Sequence, residues 1–144
     1  MSADRFMFTI FCDDVRQEAG GKFAYMGIYG ANLLVPEYPA HLLKLCVVMT
    51  VRTLASRPPE SLVFKLLRDE EVIYEHPVDE DALKQLIAST PASDIEGRSH
   101  TFGAVAQIVN LVFSEACMLK SRAIVDGKEL KGGALELLAV DPKH

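Results

Sequence analysis

The residues best equipped for chemistry in this chain crowd into one short polar segment: Asp13, Asp14, Arg16 and Glu18, set between the apolar run Phe6 to Cys12 and the glycines Gly20 and Gly21. Adjacent carboxylates followed by a third are the kind of oxygen donors that a hard cation such as Ca²⁺ takes on a flexible loop. Their spacing does not follow the EF-hand pattern, and no further carboxylates can be assigned to the set. Asp side chains in such a segment also accept hydrogen bonds from local backbone amides, as in an ordinary solvated turn. The segment is therefore read as a candidate interaction surface, Asp13, Asp14, Arg16 and Glu18, and not as a metal centre.

The other reactive side chains form no recognisable set. Cys12, Cys46 and Cys117 each lie inside an apolar run, which suits small buried hydrophobes better than half-cystines or nucleophiles. Three reduced, metal-free cysteines are expected. His41, His76, His100 and His144 show none of the close spacing of a zinc site. No nucleophile elbow, phosphate-binding loop or dinucleotide fingerprint occurs, so neither a catalytic residue nor a cofactor is expected. Gln107 and Asn110 interrupt the apolar run Val105 to Phe113 and read as strand-edge polar groups or as part of an interface. Lys120, Arg122, Lys128 and Lys131 make a small basic strip of the sort found on a solvated sheet face.

The chain that must position these groups has 144 residues, 49% hydrophobic and 24% charged, with a net charge of −5. That length suits one domain over 1–144 with a sizeable core. An acidic balance with scattered basic residues argues against a nucleic-acid partner, which requires a clustered basic face. The longest apolar stretches are broken by Lys44, Gln107 and Asn110 and fall short of a membrane span. Met1-Ser2-Ala3-Asp4 does not open a secretory signal, and a cytoplasmic location is expected.

Two apolar runs, Phe6 to Cys12 and Phe23 to Tyr29, flank the polar segment as a β-hairpin. Its first strand has Phe6, Phe8, Ile10 and Cys12 on one face and Met7, Thr9 and Phe11 on the other, both mostly buried, with Phe8 expected in the core. Pro36 and Pro39 mark a crossover or edge. Leu42 to Arg52 is a strand with an apolar face of Leu43, Leu45, Val47, Met49 and Val51. Ser61 to Arg68 and Glu71 to Glu75 flank Asp69-Glu70 as a second hairpin. Asp79 to Ser89 is the one helix, capped by Asp79, stapled by Val78 and striped with Leu83, Leu86 and Ile87. Thr90 to Thr101 reads as a surface loop, followed by strands Phe102 to Phe113, Cys117 to Val125 and Ala134 to Val140, with a type I′ turn at Asp126-Gly127 and a break at Gly132-Gly133. Many short strands with one helix predict a mainly β fold, an antiparallel β-sandwich of immunoglobulin-like or C2-like kind with one short helix in a connection.

Phe11-Cys12-Asp13-Asp14-Val15-Arg16, followed by Gly20-Gly21-Lys22 and Met26-Gly27-Ile28-Tyr29, resembles the opening of a family of small, uncharacterised bacterial proteins, which implies no activity to carry over. The closing hairpin Lys120 to Val140 is similar to those of many immunoglobulin-like or C2-like modules. The strand pattern, with apolar residues on both faces and no catalytic signature, points to a non-catalytic protein-binding or assembly module. Its partner is a protein or a second copy, as in a structural component of a larger particle such as a phage or phage-like assembly. The alternative is a small-ligand binder or enzyme whose loop-built site joins Asp13, Asp14 and Arg16 to His100. A deep polar pocket would favour that alternative, and a flat apolar face favours assembly.

Overall fold

Side-chain alternation along extended segments dominates the computed structural model, which describes residues 5–89 and 99–140. Its strands are β1 (Arg5–Gln17), β2 (Phe23–Ile28), β3 (Asn32–Val35), β4 (Ala40–Leu54), β5 (Leu62–Arg68), β6 (Glu71–Pro77), β7 (Ser99–Phe113), β8 (Cys117–Val125) and β9 (Lys128–Ala139), and helix α1 (Glu80–Ser89) lies between β6 and β7. They form two open sheets, one in the order β2-β1-β4-β7 and the other in the order β3-β9-β8-β5-β6. The expected all-antiparallel pairing is corrected at one place, because β3 runs parallel to β9. Pro36 and Pro39 deny β3 a hairpin partner, and the chain leaves after Val35 to enter the other sheet at Ala40.

One apolar core lies between the sheets, built from Met7, Phe11, Leu45, Val47, Met49 and Val51 on one side and Leu62, Phe64, Leu66, Leu119, Leu135 and Leu137 on the other. Leu83 of α1 is fully buried in the same core. The sheets are also tied by a polar contact, since the hydroxyls of Thr9 and Ser121 meet at 2.7 Å. The pairing matters because an unpaired buried hydroxyl loses its water hydrogen bonds without compensation.

The register of the first strand differs from the sequence expectation. Met7 and Phe11 face the core, whereas Phe8 is 40% exposed on the outer face. Alternation alone cannot tell which of two apolar faces is covered. The second sheet covers the Met7 face, and Arg52 of β4 sits over the outward Phe6 ring. In β4, Leu43 is 72% exposed and leaves the apolar face expected for it. On β7, Asn110, between the partners of Leu42 and Lys44, has a positive φ of 55°, and beyond it Leu111 and Phe113 are buried, so alternation resets there.

The hairpins and helix follow local chemistry. Asp79 accepts the Ala82 N–H at 3.0 Å as the helix cap, and Val78 packs against the core; Leu86, expected on the apolar stripe, is exposed. Gly132-Gly133 does not break the chain. The closing strand starts at Lys128, and the glycines fall at a register shift opposite Ser121 and Arg122. Of the loop expected over Thr90 to Thr101, residues 90–98 lie outside the described residues, and 99–101 already belong to β7, paired with β4.

Asp126 and Gly127 both take positive φ, 50° and 82°, as a type I′ turn requires. The Asp126 carboxylate accepts the Glu60 and Ser61 N–H groups at 2.8 and 2.9 Å and pairs with Arg5 at 2.8 Å. Burial would raise its pKa, but the Ser61 and Glu60 amides and the Arg5 guanidinium outweigh it and hold the group below its ordinary value. A depressed carboxyl stabilises the fold above its unfolded pKa of about 3.9, and that stability is lost as pH falls through the folded value. Asp126→Asn keeps a residue tolerant of positive φ and removes the charge. The expected result in acid titrations followed by circular dichroism is lower stability at neutral pH and a shallower loss below about pH 4. An unchanged acid limb would remove Asp126 from the account.

Candidate functional site

The four residues singled out from the sequence do not form a free loop. Asp13, Asp14 and Arg16 lie in the last part of β1, and Glu18 begins the turn. Their neighbours are set by pairing with β2, which places Asp14 opposite Met26 and Arg16 opposite Ala24. Asp13 accepts a hydrogen bond from the Tyr29 phenol. Burial, then that bond, pushes the Tyr29 pKa to about 12. Asp14 receives Lys44 Nζ at 2.7 Å and the Val15 N–H at 2.9 Å. The Lys44 ammonium, followed by the Val15 amide, holds the Asp14 carboxyl below its ordinary value.

The two carboxylates are thus committed to different partners, Tyr29 just after β2 and Lys44 on β4, and do not converge. Among the described residues, no three His, Cys, Asp or Glu side chains stand close enough to hold a metal ion. Gly27 marks how close the strands come. Its φ is +68°, and a Cβ built on it would run into the Asp13 carboxylate, so only glycine fits both the backbone and the space.

His100 does not join this group. It pairs with Thr53 at the far end of β4, whereas Asp14 binds Lys44 near the start of that strand. Nine residues of strand separate those positions by about 30 Å. The loop-built site of Asp13, Asp14, Arg16 and His100 is therefore not assembled. His100 is itself buried, with its ring beside Phe102. Two residues of the basic strip are in ion pairs, Lys120 with Glu70 at 3.0 Å and Arg122 with Glu129 at 3.7 Å. A hollow of about 560 Å³ lies between Glu60, Ser61, Glu80, Lys84 and Asp126; its Asp126 is already engaged by Arg5 and two amides.

The surface that stands out was not singled out from the sequence. The outer face of the four-stranded sheet carries Phe6, Phe8, Val105 and Val109, exposed by 42, 40, 46 and 57%. They occupy cross-strand positions with Arg52, Thr50, Val48 and Lys44 of β4. Strand β7 ends the sheet, and its fifteen residues, Ser99–Phe113, contain no Asp, Glu, Lys, Arg or Pro. Natural sheet edges are usually blunted by charge, proline or shortness, and β7 has none of these. The other sheet differs, since its outer face bears the ion pairs of Lys65, Lys120 and Arg122. Gln107 is exposed on β7 opposite Cys46, and Asn110 contacts the His41 ring at 3.0 Å. The sequence left these two polar residues open between strand-edge groups and part of an interface, and did not say which edge no other described strand pairs with.

No helix among the described residues is long and apolar enough to cross a membrane. The model of a family of unknown function, DUF6941, matches residues 7–137. A search of curated proteins finds no match.

Proposed function

The chain belongs to that family of unknown function, and from this premise we propose that it is a non-catalytic protein-binding or assembly module that associates with a second copy of itself through β7. The carrying observation is the long, charge-free edge of the four-stranded sheet beside an apolar outer face. An antiparallel copy of β7 laid on this edge would satisfy its outward backbone groups. It would also bring no like charges opposite one another, which is the usual penalty against a strand pairing with itself. The two outer faces then join into one wider apolar surface carrying Phe8, Val105 and Val109, suited to further copies in a larger particle such as a phage-like assembly. The two-sheet arrangement serves as an immunoglobulin-like or C2-like scaffold for this contact.

Sedimentation of the purified chain over a range of concentrations tests the proposal. The expected result is a dimer or larger species that Val105→Lys with Val109→Lys converts to monomer. Both positions are exposed, so the thermal midpoint should move little, within the ~0.5 kcal/mol typical of surface changes. A wild-type chain that stays monomeric at every concentration sinks the proposal.

A further inference from the structure

Cys12 and Cys46 face each other directly across β1 and β4. Both are free thiols, and with Val48 they form a small buried cluster, separate from the main core, packed by Ile10, Val15 and Tyr25. Directly opposed residues of an antiparallel pair have Cα atoms about 4.5–5.5 Å apart, and a disulfide spans Cα separations of about 4.4–6.8 Å. The backbone therefore already holds the two residues at bridging distance. Cys117 lies on β8 in the other sheet and packs into the main core.

We propose that Cys12 and Cys46 are a modification site, a dithiol that closes to an intramolecular disulfide when the protein meets a low-molecular-weight disulfide oxidant. The Cys46 thiolate attacks one sulfur of the oxidant, a small thiolate leaves, and a mixed disulfide forms. The Cys12 thiolate then attacks the Cys46 sulfur, and the second small thiolate leaves. Two protein thiols give up two protons and two electrons, and the oxidant is reduced to two thiols. Burial pushes the Cys46 thiol up, and the Lys44 ammonium, two residues along β4, offsets part of that rise, so the proposed step has Cys46 as the attacking thiol. Burial opposes ionisation of both thiols and makes the reaction slow while the cover is closed. The cover includes Tyr25 of β2, an edge strand, so fraying of β2 is the route by which the oxidant enters. The closed bridge ties β1 to β4 two residues along each strand from the Asp14–Lys44 pair and fixes the segment that leads into the turn.

Treating the native protein with oxidised glutathione, trapping with iodoacetamide and mapping peptides by mass spectrometry tests the site. Before oxidation, all three thiols should alkylate in denaturant. Afterwards, the chain should lose two hydrogens, with the Cys12 peptide linked to the Cys46 peptide and Cys117 still alkylated. Cys117→Ala should bridge at the wild-type rate, and Cys46→Ala should not bridge. A link through Cys117, a link between two molecules, a stable glutathione adduct on the wild type, or three alkylatable thiols after oxidation would each overturn the proposal. The wild-type peptide map decides the matter even if an alanine variant fails to fold.

Discussion

Phe64→Ala is expected to destabilise the protein by about 3–5 kcal/mol, the usual cost of emptying a large aromatic site in a packed core. Phe64 is fully buried. It lies on β5, between β8 and β6, where it pairs with Ala123 and His76. Small neighbours such as Ala123 cannot expand to fill the space, so most of the cavity persists. Phe8→Ala provides the contrast. Its ring is on the outer face and 40% exposed, so a loss well under that of Phe64→Ala is expected. Urea unfolding of the two variants reads the difference. Equal losses would restore Phe8 to the core and reverse the facing of β1, because a one-residue slip sends every side chain to the opposite face.

Gly132→Ala should cost about 1–3 kcal/mol, the range for forcing extra volume into a packed interior. A Cβ at this position would stand 2.6 Å from both Thr9 Oγ1 and Ser121 Oγ and 2.7 Å from Met7 Sδ. The Met7 sulfur ends a flexible side chain and can move. The two hydroxyls are bonded to each other, and Ser121 Oγ also donates to the Gly133 carbonyl at 3.3 Å. The added methyl group must therefore push the sheets apart or break the Thr9–Ser121 tie between β1 and β8. Gly103→Ala is the control, since its nearest neighbour would be the Met49 carbonyl oxygen at an ordinary 3.6 Å. Thermal midpoints that fall equally for both variants would refute the close approach at Gly132.

The elements set by local chemistry were legible in the sequence. The Asp79 cap, the Asp126-Gly127 turn, the Asp69-Glu70 hairpin and the strand Cys117 to Val125 depend on neighbours a few residues away, and the structure has all of them. Facing and edges were not legible. Whether Phe8 or Phe11 points inward depends on where the second sheet lies, and β1 carries apolar residues on both sides. Asp13 and Asp14 looked like a turn because they are adjacent and charged, yet Tyr29 and Lys44, both distant in sequence, hold them in strand geometry. The side of β7 that no other described strand pairs with depends on strand order, which no local pattern encodes. The Cys12–Cys46 pairing is equally non-local, although each thiol was recognised as buried.

The parallel contact between β3 and β9 sets the order in which the chain can finish folding. Asn32 pairs with Glu136 and Val35 with Ala139, so an early segment waits for one of the last described strands. During synthesis, β1 and β2 can meet as soon as both leave the ribosome, and β4 can join β1. β3 then has no edge to occupy until β9 has emerged and paired with β8. Pairings this distant carry a large loop-closure cost and slow the search for the native state. Throughout that interval, Leu33 and Val35, both buried in the finished core, remain uncovered on a nascent chain that a chaperone could recognise.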